Sequence, residues 1–250
     1  MIKPSQIAGI IPARWGSTRF PGKLATPIQG RPLLSWVIVG CRRSMRVANW
    51  IVATDDRRLA AIAEQAGAES VMTSSRFPSG SDRVAKVAES LRCRWIVNWQ
   101  ADEWLASGRP IDLLIEALER DRETRVATLC RPLSPGESKN PNRVKVVVSQ
   151  SGRALYFSRA LIPHDSSGTH PTRLHLGAYA FDRETLLQFT RWRQTPLEKQ
   201  ERLEQLRFLE HDVPMVVAEC RIATFGVDTP ADAEELNSRL ERGGRNRRGQ

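Results

Sequence analysis

The chain has 250 residues, 40% of them hydrophobic, and a formal net charge of +10. That length allows one large domain, or one domain with a smaller lobe, built around a sizeable core. No run of 18 apolar residues occurs, which excludes a membrane-spanning helix. The opening Met1-Ile2-Lys3-Pro4-Ser5-Gln6 lacks the apolar stretch and small-residue cleavage site of a secretory leader, so a cytoplasmic protein is expected.

In chain order, residues 7–11 read as a buried strand and 32–43 as a helix with Pro32 near its first turn. A second strand covers 50–53 and ends in Thr54-Asp55-Asp56, an N-cap cluster for a helix over 57–66, with Gly67 as its C-cap. A short strand at 70–72, a helix over 82–91, a strand over 95–99, a helix over 110–121 and a strand over 126–129 follow. Beyond residue 130 the pattern changes. Strands are expected at 142–148 and 154–157 around the turn Gln150-Ser151-Gly152, and at 174–181. Helices are expected over 183–190, 196–210 and 230–242.

The early strand–helix alternation predicts an α/β fold with a mostly parallel sheet covered on both faces. Ligands in such sheets gather at the carboxyl ends of strands, here the loops after Ile11, Ala53 and Trp99. The domain reading is a nucleotide-binding α/β part over residues 1–130, a mixed part of the same domain over 131–240, and a basic disordered tail over 241–250.

Charge and cysteine usage narrow the classes further. Residues 239–250 hold five Arg and one Glu, so the tail carries +4 of the total and reads as solvated chain. The remaining basic excess suits an anionic partner, either nucleic acid or a phosphorylated and carboxylated small molecule. No nucleic-acid-binding motif is visible. Cys41, Cys93, Cys130 and Cys220 are far apart, without zinc-ligand or redox spacing, and read as free thiols.

The loop after the first strand is the most informative segment. It runs Ile11-Pro12-Ala13-Arg14-Trp15-Gly16-Ser17-Thr18-Arg19-Phe20-Pro21-Gly22-Lys23. A triphosphate needs cations at several points and backbone N–H groups that can approach closely. Arg14, Arg19 and Lys23 supply the first, and the glycines and the hydroxyl residues Ser17 and Thr18 suit the second. The spacing is not that of a Walker loop.

This loop resembles the signature I-P-A-R-x-x-S-T-R-x-P-G-K of CMP-Kdo synthetases, the 3-deoxy-manno-octulosonate cytidylyltransferases. Further matches follow in order: Val52-Ala53-Thr54-Asp55, Ser79-Gly80-Ser81-Asp82-Arg83, Val97-Asn98-Trp99-Gln100-Ala101-Asp102-Glu103, Asn140 through Val147, Ala154 through Pro163, His175-Leu176-Gly177, Leu203 through Arg207, and Gly226-Val227-Asp228-Thr229-Pro230. The resemblance spans roughly residues 7 to 240.

It implies a nucleotide-diphospho-sugar transferase-like three-layer sandwich. It also implies a Mg²⁺-dependent transfer of CMP from CTP to the 2-hydroxyl of a 3-deoxy keto sugar acid, a step of lipopolysaccharide biosynthesis, in a homodimer. On these positions it makes Lys23, Arg14 and Asp102 catalytic. Arg14, Ser17, Arg19, Lys23, Ser79, Gly80, Arg83 and Gln100 would bind the nucleotide, Gln100, Arg159, His175, Glu204 and Gln205 the sugar acid, and Asp102 and Asp228 the metal. Ser79 and Asp82 are equally readable as helix caps, and His175 as a core histidine.

Two departures concern the acceptor. The family's Q-G-D-E-P is Gln100-Ala101-Asp102-Glu103-Trp104 here, and its R-H-L-G is Leu174-His175-Leu176-Gly177. Residues 165–172 also form a shorter loop than usual. Ala101 would be strained if the family glycine needs φ > 0. These departures leave a modified Kdo or a small phosphonate open as acceptor beside Kdo.

Overall fold

The computed structural model describes residues 1–17, 20–134, 137–138, 140–164 and 172–248, with side chains described as far as residue 242. β1 (Ile7–Ala13) is an apolar run buried along nearly its whole length, as a strand covered on both faces must be. A small hairpin of β2 (Pro27–Ile28) and β3 (Arg31–Pro32) leads into α1 (Leu33–Cys41), with Pro32 at its N-cap position. β4 (Trp50–Thr54) is followed by α2 (Arg57–Gln65). Of the expected cap cluster, only Asp56 caps α2, accepting from the Arg58 N–H. Gly67 ends the turn after α2 with φ 81°.

β5 (Glu69–Met72) precedes α3 (Gly80–Ala88), which begins two residues earlier than expected because Ser79 caps it, accepting from the Asp82 N–H. β6 (Trp95–Asn98) stops one residue short of Trp99. β7 (Glu103–Leu105) was not expected. α4 (Arg109–Arg120) follows it and buries Ile111, Leu114, Ile115 and Leu118, an i, i+3, i+4, i+7 stripe.

Next come β8 (Val126–Pro132), β9 (Lys145–Val148), β10 (Ala154–Ser158) and β11 (Arg173–Asp182). α5 (Arg183–Phe189) is capped by Asp182. The single helix expected over 196–210 is two, α6 (Pro196–Glu201) and α7 (Leu206–Glu210). The chain reverses between them, with Arg202 left-handed at φ 54°, and the Glu198 carboxylate then meets the Arg207 guanidinium within the interior. β12 (Met215–Glu219) and β13 (Thr224–Gly226), also unexpected, precede α8 (Pro230–Arg248). The α8 backbone stays helical beyond Arg242, into the segment expected to be a disordered tail.

The main sheet runs β10-β9-β11-β6-β1-β4-β5, with β8 on β11 and β12 on β8. Its first-half strands β6, β1, β4 and β5 are mutually parallel, and β8–β12 is a parallel pair too. β11 introduces the antiparallel pairings. One face packs on α1, α2, α4 and α8, the other on α3, α5 and α7. The α/β sandwich expected from the sequence is therefore present, and strands from both sides of residue 130 share one sheet.

Two features of this topology place the site. β1 connects outward to β4 and β5, and the chain then returns to the other side of β1 as β6. The carboxyl ends of β1 and β6 thus flank the switch point, where open α/β sheets form a crevice. Separately, β7 pairs with β13, Glu103 opposite Gly226, and the Val227 N–H donates to the Asp102 carbonyl at 2.9 Å. That two-stranded sheet brings the loop after β6 against the turn before α8.

Candidate active site

A cleft of about 300 Å³ opens at this switch point. Arg14, Ser17 and Lys23 from the β1 loop line it, with Ser79, Gly80 and Arg83 of α3, Gln100 and Asp102 after β6, and Asp228 before α8. Phe77 and Pro78, which carried no signal in the sequence, belong to its wall as well. Arg19 and Thr18 lie outside the described residues.

Lys23 is at the centre. Gly22 takes φ 69°, a left-handed conformation suited to glycine, and starts the short turn that carries Lys23. The Lys23 ammonium donates to the Asp102 carboxylate and, at 3.1 Å, to the Val227 carbonyl, and it lies 3.5 Å from Asp228 Oδ1. The lysine side chain is 13% exposed, against 35% for Asp102 and 52% for Asp228. Two carboxylates far apart in sequence are thus held around one cation, with their outer sides open to the cleft. Arg14 is exposed at the cleft.

The α3 wall is more structural than the sequence suggested. Ser79 donates to Asp82 Oδ2 at 2.7 Å while capping the helix, so the cap reading holds for a residue that also lines the cleft. The Arg83 side chain is 5% exposed and gives its two terminal nitrogens to Asp55 Oδ2 (2.8 Å) and Thr73 Oγ1 (2.6 Å). Gly80 leaves room beside Pro12 and Gln100, where an added Cβ would lie 3.4 Å from the Pro12 ring.

The residues expected to hold the acceptor are dispersed, and only Gln100 lines this cleft. Arg159 donates to the carbonyls of Glu201 (2.9 Å), Arg202 (3.2 Å) and Pro141 (3.0 Å). The first two are unpaired C-terminal carbonyls of α6, a natural target for a guanidinium. His175 Nε2 lies 2.9 Å from Thr128 Oγ1, with its ring edge-on to Phe157 at 4.9 Å. Burial lowers its pKa to about 3, so the imidazole is neutral at physiological pH.

Glu204 sits at the start of α3, accepting from Ser81 Oγ at 2.5 Å, and burial raises its pKa. Gln205 is buried at the N-cap position of α7. His175 lines a second cleft with Glu103, Arg131 and Arg143. There burial pushes the Glu103 carboxyl up to about 7, against the opposing hydrogen bond from Thr224.

The departures from the family pattern find plain accommodation. Among the described residues, left-handed backbone outside glycine occurs at Gln29, Arg202 and Asp212, so Ala101 carries no such strain. Trp104 lines an apolar groove with Trp36, Val39 and Leu240, away from the cleft. Leu174 is buried in β11, whose alternation puts Arg173 on the same face as His175. Residues 165–171 lie outside the described residues.

Comparison with known proteins agrees with this geometry. The family model described as "Cytidylyltransferase" matches residues 8–215. The chain is 40% identical over 241 residues to a 3-deoxy-manno-octulosonate cytidylyltransferase of Bdellovibrio bacteriovorus, covering 94% of this chain and 98% of that one. It is 43% identical to the corresponding protein of Anaeromyxobacter dehalogenans, covering 95% and 98%. A solved structure of CMP:2-keto-3-deoxy-manno-octonic acid synthetase complexed with CTP superposes with a TM-score of 0.90 at 34% identity, over 95% of this chain and 99% of that one. The chain belongs to the cytidylyltransferase family and, within it, to the 3-deoxy-manno-octulosonate cytidylyltransferases.

Proposed function

We propose that this enzyme transfers CMP from CTP to the 2-hydroxyl of 3-deoxy-manno-octulosonate in the cleft at the β1–β6 switch point. The observation that carries this reading is the convergence of Arg14, Lys23, Asp102 and Asp228 at that crevice, in a chain whose relatives bear that name. In the reaction the sugar's 2-hydroxyl oxygen forms a bond to the α-phosphorus, the bond to the bridging oxygen breaks, and pyrophosphate and a proton leave.

Nucleotidyl transfer of this kind depends on positioning and charge neutralisation. Lys23, steered by its bonds to Asp102 and Val227, is the group that neutralises charge on the α-phosphate. Arg14 reaches into the cleft for the outer phosphates, and Arg19 is assigned the same task from the sequence. Ser17 belongs to the same loop. Ser79, Gly80, Arg83 and Gln100 form the nucleoside wall.

The pair Asp102 and Asp228 fits Mg²⁺, which takes one or two carboxylates and completes its shell with phosphate oxygens and water. When bound, the ion would supply charge neutralisation on the triphosphate.

For the acceptor, Gln100 is the contact the cleft supports, and Arg159, His175, Glu204 and Gln205 are carried from the family pattern. Trp104 stands away from the cleft, and Ala101, which lines it, carries no backbone strain, so Kdo is favoured over a modified Kdo or a phosphonate. Homodimer formation and a cytoplasmic location belong to the same reading.

A pyrophosphate-release assay with CTP, Mg²⁺ and Kdo, with a phosphonate panel beside it, tests the proposal. Turnover with Kdo that stops on chelation of the metal is the expected result. CTP binding without turnover of Kdo overturns the acceptor assignment, and no CTP binding overturns the whole.

A further inference from the structure

Trp15 occupies a position that the family signature leaves variable, yet three separate contacts hold it. Its backbone N–H donates to Asp55 Oδ1 at 3.2 Å. The Arg58 guanidinium lies over its ring, 3.3 Å from the centroid, and is itself paired with Asp56. The far edge of the ring meets Gly22, where an added Cβ would come within 3.3 Å of Trp15 Cζ2. The same Asp55 binds Arg83 of α3 through its other oxygen, and Arg83 reaches on to Thr73.

We infer that Trp15, anchored by Asp55, is a positioning residue that holds the two ends of the phosphate loop at the spacing the triphosphate requires. The loop enters at Arg14, one residue before the anchored N–H, and leaves at Lys23, one residue after the glycine under the indole ring. A flat ring that carries the Arg58 guanidinium on its face and meets a left-handed glycine at its far edge sets the distance between those cations. Asp55 then ties this strut to α3, whose first turn lines the same cleft. Neither residue touches the reacting atoms in this account. Their effect passes through Arg14 and Lys23 and rests on the reading of this cleft as the CTP site.

Trp15→Ala removes the ring and keeps the backbone N–H. Trp15→Phe keeps a flat ring. Asp55→Asn presents an amide N–H₂ to one of two donors, so it breaks either the Trp15 or the Arg83 link. The experiment is calorimetric titration with CTP and Mg²⁺ on the full chain, with thermal unfolding and Kdo kinetics alongside.

CTP affinity should fall about tenfold in Trp15→Ala and at least fivefold in Asp55→Asn, and stay within threefold of wild type in Trp15→Phe. The KM for Kdo should stay within twofold in all three, which a general loss of structure would not allow. CTP affinity within twofold of wild type in a folded Trp15→Ala overturns the inference. If that variant does not fold, the same criterion applies to Asp55→Asn. Because the readout is CTP binding, failure of wild type to turn over Kdo would sink the acceptor assignment alone, whereas failure to bind CTP would sink both.

Discussion

Lys23→Met separates the ion-pair role that the structure gives this side chain from the catalytic role proposed for it. As an ion-pair partner, Lys23 lies 3.5 Å from Asp228, a gross attraction of about 5 kcal/mol at an effective dielectric of 20. Asp228 is 52% exposed and Asp102 35%, so solvent screening reduces the net contribution of such pairs to about 1 kcal/mol or less. For a chain of this size that shifts the unfolding midpoint by roughly 2–4 °C. As the cation proposed to act on the α-phosphate, the same group would contribute on the order of 3 kcal/mol to the transition state, or about 100- to 1000-fold in kcat. Thermal unfolding and pyrophosphate release at saturating CTP measure the two effects on one sample. The metal supplies another readout. With the ammonium gone, Asp102 and Asp228 lose the positive charge Lys23 places between them, so Mg²⁺ titrated without nucleotide should bind Lys23→Met more tightly than wild type. A variant with kcat within threefold of wild type, or one that no longer folds, refutes the reasoning.

Asp102→Asn should abolish turnover while circular dichroism and the unfolding midpoint stay near wild type, because the carboxylate is partly exposed and its loss costs little packing; retained activity would remove Asp102 from the metal assignment. Glu198→Ala should destabilise the fold by about 3–5 kcal/mol in denaturant unfolding, because it leaves the Arg207 guanidinium, within the interior, without its carboxylate. His175 sets a pH signature. Its folded pKa of about 3 lies below the ordinary histidine value of 6.5, so the stability it contributes is complete above pH 6.5 and is lost as the pH falls toward 3. The slope is at most about 1.4 kcal/mol per pH unit. His175→Phe should flatten that acid limb in unfolding curves recorded from pH 7 to pH 4.

What the sequence revealed was local. The β1 run and the glycine-shaped loop are patterns within a dozen residues, and they pointed to the crevice that Arg14 and Lys23 line. The pairing of β7 with β13 was not legible, because Glu103–Leu105 and Thr224–Gly226 are each too short to carry a period. That long-range pairing is nonetheless what holds Asp102 beside Asp228. The charge-rich stretch over 196–210 misled for a related reason. It read as one continuous helix, but Glu198 and Arg207 find each other across a turn and are buried as a pair.

The acceptor side was harder to read because its residues act through partners that only the fold supplies. A lone arginine in sequence reads as a carboxylate binder, but Arg159 is satisfied by helix-end carbonyls that happen to sit within reach. Asp55 read as a helix cap, since nothing in Thr54-Asp55-Asp56 distinguishes the residue that caps α2 from the one that turns toward Trp15 and Arg83. The departures at Ala101 and Trp104 seemed to bear on acceptor choice for the same reason. Their neighbours in sequence are cleft residues, but the neighbours of Trp104 in space are Trp36, Val39 and Leu240. A substitution beside a catalytic carboxylate changes specificity only if its side chain shares the cavity. By that criterion Trp104 bears on the packing of α1 against α8, and the acceptor question passes to Gln100 and Ala101, which line the cleft.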